Sequence, residues 1–165
     1  MSTRHPIIAI TGSSGAGTTS VKKTFDVIFQ REGVNAAAIE GDAFHRYDRL
    51  AMREEMAKAA AAGNNHFSHF GPYANLLKEL EATYAEYGAT GNGKTRHYVH
   101  DAQEADKFGV APGKFTEWES FAENTDLLFY EGLHGAVVTE EVNLARHVDL
   151  KIGVVPVINL EWIQK

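Results

Sequence analysis

Short apolar runs and segments of helical periodicity alternate along the chain. The first run, residues 6–11 (PIIAIT), ends at a glycine and predicts a buried strand. The following segment predicts an amphipathic helix that starts near Thr18 and ends at Gly33, a common C-terminal stop. Its apolar stripe consists of Val21, Phe25, Ile28 and Phe29. A second strand is predicted within residues 34–42 (VNAAAIEGD).

The middle of the chain has the pattern of two helices followed by an extended region. The helices are predicted over residues 49–63 and 73–88, because each apolar pattern ends at a glycine. Residues 93–101 (GKTRHYVHD) are predicted to be extended. Residues 108–118 carry turn signals that lead into a short edge strand.

The last part of the chain predicts two further strands and completes the fold class. Residues 127–130 (LLFY) predict a buried strand, residues 140–148 a short helix, and residues 149–157 another apolar strand. This order is typical of an α/β domain in which a mainly parallel sheet has helices on both faces. We therefore predict one domain over residues 1–165.

The chain ends in an unfinished amphipathic segment. Residues 158–165 (INLEWIQK) have the pattern of a helix that stops after at most two turns. So short a helix has little stability by itself. We therefore expect that the chain is truncated at its C-terminus.

Composition excludes several function classes without choosing one. Of the 165 residues, 44% are hydrophobic and 23% charged, which is typical of one soluble globular domain. The formal net charge of −6 argues against a nucleic-acid partner. Cysteine is absent, which excludes disulfides and thiolate metal sites. Since no segment approaches the length of a membrane span and the N-terminal apolar run is too short for a signal peptide, we predict a cytoplasmic protein without a membrane partner.

The loop between the first strand and the first helix, GSSGAGTTS, has the pattern of a phosphate-binding loop. In the motif G-x-x-x-x-G-K-[ST], Gly12 and Gly17 occupy the glycine positions. Thr19 occupies the hydroxyl position, whereas Thr18 replaces the lysine. The glycines let backbone N–H groups point into one concavity, and the positive end of the helix favours an anion. The alternative is a glycine-rich turn that binds nothing.

The strand before this loop and the helix after it favour a phosphate site, because the motif acts in that context. The predicted phosphate-binding residues are Gly12, Ser13, Ser14, Gly15, Ala16, Gly17, Thr18, Thr19 and Ser20. The Thr19 hydroxyl can also bind a Mg²⁺ ion that bridges phosphate oxygens. The loss of the lysine removes charge but leaves the backbone cradle.

Asp42 follows the second predicted strand, at the edge of the sheet where open α/β folds bind ligands. It lies in the segment GDAFHRYDR, which also contains His45, Arg46 and Arg49. A carboxylate there can deprotonate a hydroxyl acceptor, and its cationic neighbours suit an acceptor that carries its own phosphate. The alternative is that Asp42 caps a following helix.

Glu131 ends the apolar strand LLFYE. A carboxylate at the end of a hydrophobic strand, after a phosphate-binding loop, is the Walker B arrangement, which binds Mg²⁺ directly or through water. The predicted metal ligands are therefore Thr19 and Glu131. Glu40 is ambiguous, because it could face this site or the solvent. His66, His69 and His134 lack a zinc-binding spacing and are expected to be packing or loop residues, although His134 could border the site.

Five segments in order, GSSGAGTTS, EGDAFHRYDR, TRHYVHD, LLFYEGLHG and VVPVINLEWIQK, give the chain a close resemblance to the bacterial phosphoribulokinase family. The likeness covers nearly all 165 residues. It implies a fold similar to nucleotide monophosphate kinases, a P-loop three-layer sandwich. It also implies that ATP, with Mg²⁺, phosphorylates the 1-hydroxyl of ribulose 5-phosphate to give ribulose 1,5-bisphosphate for carbon fixation in the Calvin cycle.

The resemblance assigns roles to single residues. Asp42 matches the catalytic base, and Glu131 matches the Walker B acid. The residues that it matches to the binding of ribulose 5-phosphate are His45, Arg49, Tyr98 and His100. Tyr98 and His100 correspond to a mobile loop over the sugar-phosphate site.

Lys165 matches a catalytic lysine of the family. Bacterial members of the family also lack the lysine of the loop, so Lys165 could supply the charge missing at Thr18 from the far side of the nucleotide. On sequence alone, a terminal lysine is a solvated end. The resemblance further implies a homo-oligomer and regulation by NADH and AMP, through regions that would follow residue 165.

Two other functions stay open on the residues alone. A uridine-kinase-like nucleoside kinase shares this fold and would release ADP in response to uridine rather than ribulose 5-phosphate. A non-catalytic nucleotide-binding module would bind ATP without turnover, whether or not a sugar phosphate is present.

Overall fold

Six strands and four α-helices make up residues 4–156, the part of the chain that the computed structural model describes. The strands are β1 (Ile7–Gly12), β2 (Ala36–Glu40), β3 (Lys94–Thr95), β4 (Glu119–Ser120), β5 (Leu127–Gly132) and β6 (Leu150–Val154). The helices are α1 (Thr18–Glu32), α2 (Arg49–Ala61), α3 (Leu77–Thr90) and α4 (Ala102–Phe108). Single turns of 3₁₀ helix cover Gly41–Phe44, Pro72–Ala74 and Leu144–Arg146. None of the helices described is long and apolar enough to cross a membrane.

Four of the strands form one parallel sheet in the order β2-β5-β1-β6. Parallel pairing is what alternating apolar runs and helices predict, because each strand returns through a crossover connection. All four strands therefore have their carboxyl ends at the same edge. The segments that follow β1, β2 and β5 lie side by side there, and this edge holds the candidate site.

Side chains of the sheet alternate between two apolar clusters, one on each face. The cluster on the α1 face is built from Ile10, Phe29, Leu127 and Phe129. The cluster on the α3 face includes Ile7, Leu128, Tyr130, Leu80, Tyr84 and Tyr87. A parallel sheet covered by helices on both faces confirms the predicted three-layer α/β fold.

The stripe predicted for α1 is right at three of its four positions. Phe29 is buried, and Val21 and Phe25 pack against the cluster on that face of the sheet. The prediction for Ile28 is wrong, since this residue is 38% exposed. Each residue turns a helix by about 100°, so the side chain next to the inward-facing Phe29 points away from the sheet.

The helix predicted over residues 73–88 lies a few residues further along the chain. A 3₁₀ turn precedes it, and Leu76 donates its N–H to the carbonyl of Phe44 at 2.7 Å, which keeps this stretch out of the helix. The helix ends at Gly91, whose φ of 76° is one that glycine adopts without strain.

Local hydrogen bonds account for two further differences from the predicted elements. Residues 140–148 contain one 3₁₀ turn instead of the predicted helix. Two backbone N–H groups there donate to the Thr139 hydroxyl, which favours a turn. The pattern did not predict α4, although both end signals are present: the Asp101 carboxylate accepts a backbone N–H of its first turn at 2.9 Å, and Gly109 ends it.

Residues 94–120 form an arm that packs against the start of α2. β3 and β4 pair antiparallel at its base, and α4 lies at its far end. Contacts that attach the arm to the start of α2 include the Arg49 N–H, which donates to the carbonyl of Gly113 at 2.9 Å, and Lys114, which pairs at 2.6 Å with Asp48, the residue before α2. The extended conformation predicted for residues 93–101 is confirmed only in part, because β3, the strand in this region, is two residues long.

We expect Phe129→Ala to lower the free energy of unfolding by about 3–5 kcal/mol, because it empties a fully buried site between α1 and the sheet. The Phe129 ring is 1% exposed and lies 5.2 Å, centroid to centroid, from both Phe25 and Phe29. Urea denaturation followed by circular dichroism measures the change. Val27→Ala on α1, at a residue that is 64% exposed, is the control, and its free energy of unfolding should stay within about 0.5 kcal/mol of the wild-type value. Equal losses in the two variants would contradict the packing described.

Candidate active site

A cavity of about 880 Å³ opens at the carboxyl edge of the sheet. Its walls come from the loop after β1, the segment after β2, the first turns of α1 and α2, the arm and the loop after β5. Open α/β sheets bind ligands at this edge, because the strand ends there leave backbone groups and loops free to converge. The two predicted carboxylates, Asp42 and Glu131, both line the cavity.

The glycine-rich loop turns into α1 through two residues with positive φ. Gly15 has a φ of 83°, and Gly17, which caps α1, has a φ of 94°. The Ala16 N–H donates to the carbonyl of Ser13 at 2.9 Å and closes the turn. Since α1 is 15 residues long, its N-terminal N–H groups and dipole favour an anion at this place.

Six of the nine residues predicted to bind phosphate line the cavity. They are Gly12, Ser13, Ser14, Gly15, Thr18 and Thr19. Ala16 and Gly17 shape the turn instead, and Ser20 lies in the first turn of α1 with its N–H donating to the carbonyl of Gly17. The phosphate site as a whole stays a prediction.

Gly12 is needed for a reason that the loop motif does not express. A Cβ atom at this position would lie 2.7 Å from the carbonyl oxygen of Val154, on the neighbouring strand β6. The first glycine of the motif thus allows β6 to approach the end of β1. At Gly17 the constraint is conformational instead. A Cβ atom there would have no atom of the described residues within 4 Å, but the positive φ favours glycine.

Thr19 and Glu131 converge as the metal-site prediction requires. The Thr19 hydroxyl donates to Glu131 Oε1 at 3.4 Å, across the gap between α1 and the end of β5. Glu40 pairs in register with Glu131 on the adjacent strand and also lines the cavity. Mg²⁺ in phosphoryl-transfer sites takes one or two carboxylates and completes its shell with water and substrate phosphates. The donor set therefore fits Mg²⁺.

Cationic side chains of α1 lie near the loop that lacks its lysine. Lys22 and Lys23 both line the cavity. Lys22 also pairs with Asp26 at 3.4 Å, one helical turn further on. The family resemblance offered Lys165 as a source of the missing charge, and this residue lies outside the described residues.

Asp42 is held between two histidines. Its Oδ1 lies 3.3 Å from Nε2 of His45, and its Oδ2 lies 3.5 Å from Nε2 of His100. His45 comes directly after the 3₁₀ turn that contains Asp42, whereas His100 comes from the arm, so two separate segments contact one carboxylate. The alternative role for Asp42 was to cap the following helix. Asp48 caps α2 instead, because its carboxylate accepts the N–H groups at the start of that helix.

The remaining residues predicted to bind the sugar phosphate surround the same carboxylate. Tyr98 packs edge-on against the rings of His45, at 5.9 Å, and His100, at 5.0 Å. Arg49 donates from Nη2 to the carbonyl of His100 at 2.8 Å, and its Cζ lies 5.9 Å from the Tyr98 ring. The fold thus brings together all four residues matched to the sugar phosphate, which stand 55 positions apart in sequence at the extremes.

Two histidines that the sequence assigned to packing or loop roles also line the cavity. His134 follows β5, and its Nε2 lies 3.0 Å from the carbonyl of Phe70, while His69 packs against the His45 ring at 6.1 Å. Burial lowers the pKa of both His45 and His134, and the Asp42 carboxylate opposes this effect only in part. In the sequence, only the closeness of His134 to Glu131 indicated that His134 could border the site, and His134 does line the cavity.

Tyr130 lies beneath both carboxylate-bearing segments. A Cβ atom on Gly41, just before Asp42, would lie 2.5 Å from the Tyr130 hydroxyl oxygen. The same oxygen accepts the N–H of His134 at 3.3 Å. Complete burial raises the Tyr130 pKa, so the hydroxyl stays neutral and acts as a spacer between the two loops. The apolar run LLFYE gave no indication of this role.

The match of the phosphoribulokinase / uridine kinase family covers residues 7–165. The chain belongs to this family. Phosphoribulokinase of Nitrobacter vulgaris is 65% identical over 98% of the chain, and the match covers 56% of that relative. The solved structure of phosphoribulokinase from Rhodobacter spheroides is 60% identical with a TM-score of 0.86, over 98% of the chain and 55% of that structure. The chain thus spans about half the length of the relatives it matches.

A more distant solved structure shares the fold. The structure of a possible uridine kinase from Bacillus stearothermophilus has a TM-score of 0.66 at 13% identity, over all of the chain and 78% of that structure. At such low identity the likeness shows the fold alone. The predicted P-loop kinase fold is therefore confirmed, and the choice of substrate within the family is a separate matter.

We expect the melting temperature to fall as the pH is lowered from 7.5 to 5.5. Burial lowers the pKa of His45 and His134 in the folded chain. Below a pH of about 6.5 the unfolded chain therefore binds more protons than the folded chain, and this lowers the free energy of unfolding. His134→Gln removes one of these groups and should make the decrease smaller. Thermal unfolding at both pH values measures the effect. His66→Gln, at an exposed histidine outside the cavity, is the control, and a decrease as steep in His134→Gln as in this control would contradict the assignment.

Proposed function

We propose that the chain is the nucleotide-binding and catalytic part of a phosphoribulokinase. It would transfer the terminal phosphoryl group of ATP to the 1-hydroxyl of ribulose 5-phosphate and form ribulose 1,5-bisphosphate and ADP, the step that supplies the carbon-fixing reaction of the Calvin cycle. The observation that carries the proposal is the Asp42 carboxylate, held by two histidines in the same cavity as the glycine-rich loop and Glu131. The high identity to phosphoribulokinases supports this choice of substrate.

The phosphate end of the cavity suits ATP. Backbone N–H groups of the loop and the N-terminus of α1 bind the phosphate oxygens, and the Thr19 hydroxyl and Glu131 carboxylate would hold the Mg²⁺. When bound, the Mg²⁺ ion would neutralise part of the negative charge of the phosphates. Lys22 and Lys23 add positive charge beside the loop, which compensates in part for the threonine at position 18.

The acceptor end of the cavity suits a phosphorylated sugar. Asp42 accepts the proton of the attacking hydroxyl, while its two histidine contacts hold the carboxylate in one orientation. Arg49 and His45 would bind the phosphate of the acceptor, and this assignment is supported by their position in the cavity wall, together with Tyr98 and His100 of the arm. The oligomeric state and the regulation by NADH and AMP stay predictions from the resemblance.

Replacement of Asp42 by Asn should lower turnover by about 10²–10⁴-fold, because it removes the proton acceptor. ATP affinity should change little, since the loop and Glu131 are untouched. The measurement is ADP release from Mg-ATP by the purified 165-residue chain, with ribulose 5-phosphate, with uridine, and with neither. Asp106→Asn is the matched control, because this carboxylate is exposed on α4 and outside the cavity.

The outcomes of this assay separate the three functions. Release that needs ribulose 5-phosphate and is lost in Asp42→Asn supports the proposal. Release that responds to uridine instead would replace it with a nucleoside kinase. ATP binding without release under any condition would make the chain a nucleotide-binding module. An equal loss of ATP affinity and turnover in Asp42→Asn would show that Asp42 is not the base.

We expect Glu131→Gln to remove the Mg²⁺ dependence of ATP binding. A charged hydrogen bond or ion contact is worth about 1.5–3 kcal/mol, which corresponds to about ten- to hundredfold in affinity. Isothermal titration with ATP, in Mg²⁺ and in EDTA, should show a difference for the original chain and a much smaller one for the variant. Glu123→Gln, at an exposed residue outside the cavity, is the control. An unchanged Mg²⁺ response in Glu131→Gln would rule out Glu131 as a metal ligand.

A further inference from the structure

Arg96 holds the backbone of the segment that carries Asp42. This arginine belongs to the arm and had no role in the sequence prediction. Its Nε donates to the carbonyl of Ala43 at 2.8 Å, and its Nη2 donates to the carbonyl of His45 at 2.7 Å. One side chain therefore bonds to the main chain on both sides of Phe44.

These two bonds complete the hydrogen bonding of the carbonyls in this segment. The carbonyl of Asp42 accepts the N–H of His45, and the carbonyl of Phe44 accepts the N–H of the residue before α3. The other two carbonyls are those that Arg96 binds. Ala43 and Phe44 are buried, and a buried carbonyl without a donor is costly. The loss of the guanidinium would leave two carbonyls unsatisfied at once, next to Asp42.

Aromatic rings hold the guanidinium in one plane. The Arg96 Cζ lies 3.6 Å from the ring centroid of Phe115 and 4.6 Å from that of Trp118. Trp118 in turn packs edge-on against Phe44, at 5.2 Å, which ties the arginine to the core beneath the segment. Stacking and two directed hydrogen bonds leave a planar guanidinium little freedom.

We propose that Arg96 is a positioning residue, which places the side chains of Asp42 and His45 through the carbonyls of Ala43 and His45. Its effect on catalysis rests on the proposed function, whereas its effect on the geometry of the segment does not. Lysine cannot replace it, because an ammonium group lacks the planar fork that reaches two carbonyls and stacks on a ring. Arg96→Lys keeps the charge and removes the fork.

Arg46→Lys is a matched control. Arg46 also donates to two carbonyls through Nε and Nη2, those of Tyr73 and Asn75, both at 3.2 Å. These carbonyls belong to the segment before α3, which carries neither Asp42 nor a residue predicted to bind substrate. The two variants thus lose the same kind of contact at different places.

The first measurement is the titration of the His45 ring by NMR of histidine-labelled protein. Asp42, His69, His100 and His134 are the titratable groups that face this ring. Arg96→Lys should raise the midpoint of the His45 titration toward the ordinary value for histidine, because a loosened segment exposes the ring to water. Arg46→Lys should leave the midpoint where it is in the original chain. An unchanged midpoint in Arg96→Lys would overturn the proposal.

The second measurement compares ligands. In Arg96→Lys, affinity for ribulose 5-phosphate and turnover should fall about ten- to hundredfold, while affinity for Mg-ATP stays within about twofold. An equal loss for both ligands, together with a lower melting temperature, would show a merely structural role. If the original chain itself does not bind ribulose 5-phosphate, the proposed function fails, and the His45 titration still decides whether Arg96 positions the segment.

A second variant covers the case in which Arg96→Lys does not fold. Phe115→Leu removes the ring that stacks on the guanidinium but keeps the arginine and both of its donors. It should shift the His45 titration in the same direction and by a smaller amount. If the Phe115→Leu protein folds and its His45 titration has the same midpoint as in the wild-type chain, the stacking that the proposal requires is contradicted.

Discussion

The pairing of β5 between β1 and β2 is the constraint on which the site depends. Its register sets Glu131 opposite Ile10 of β1 and Glu40 of β2, one residue before β5 ends. The Glu131 carboxylate therefore lies between the glycine-rich loop and the Asp42 segment. A slip of one residue would turn Glu131 to the opposite face of the sheet and exchange the side chains of β5 between the two apolar clusters. The burial of this strand on both faces thus fixes the chemistry at its end.

Charge in the cavity is divided between two ends. At the end beside the glycine-rich loop, the dipole of α1, Lys22 and Lys23 provide positive charge near the position where the loop motif has its lysine. At the other end, Asp42 lies beside His45, and burial lowers the pKa of His45 and of the nearby His134, which favours the neutral form of these two rings. Neutral imidazoles can orient a carboxylate and still accept or donate hydrogen bonds to a substrate. This arrangement suits a base better than a fully paired anion would.

Arginines connect the loops to one another around this site. The guanidinium groups of Arg46, Arg49 and Arg96 all donate to main-chain carbonyls on distant segments. In sequence, Arg46 and Arg49 look alike as cations beside Asp42. Of these two, Arg49 lines the cavity, whereas Arg46 is not part of its lining and bonds to the segment before α3. The positions of irregular segments, which have no sheet or helix to hold them, thus depend on these long-range contacts.

The sequence by itself determined the four strands of the parallel sheet, the glycine-rich loop, and the two carboxylates that follow β2 and end the apolar run of β5, because periodicity and strand-end position are local properties. Resemblance to a family added the residues of the arm. Only the tertiary structure decided which histidines meet Asp42, why Gly12 must be glycine, and that Arg96 holds the Asp42 segment. Each of these depends on contacts between residues far apart in the chain, and no local pattern carries that information.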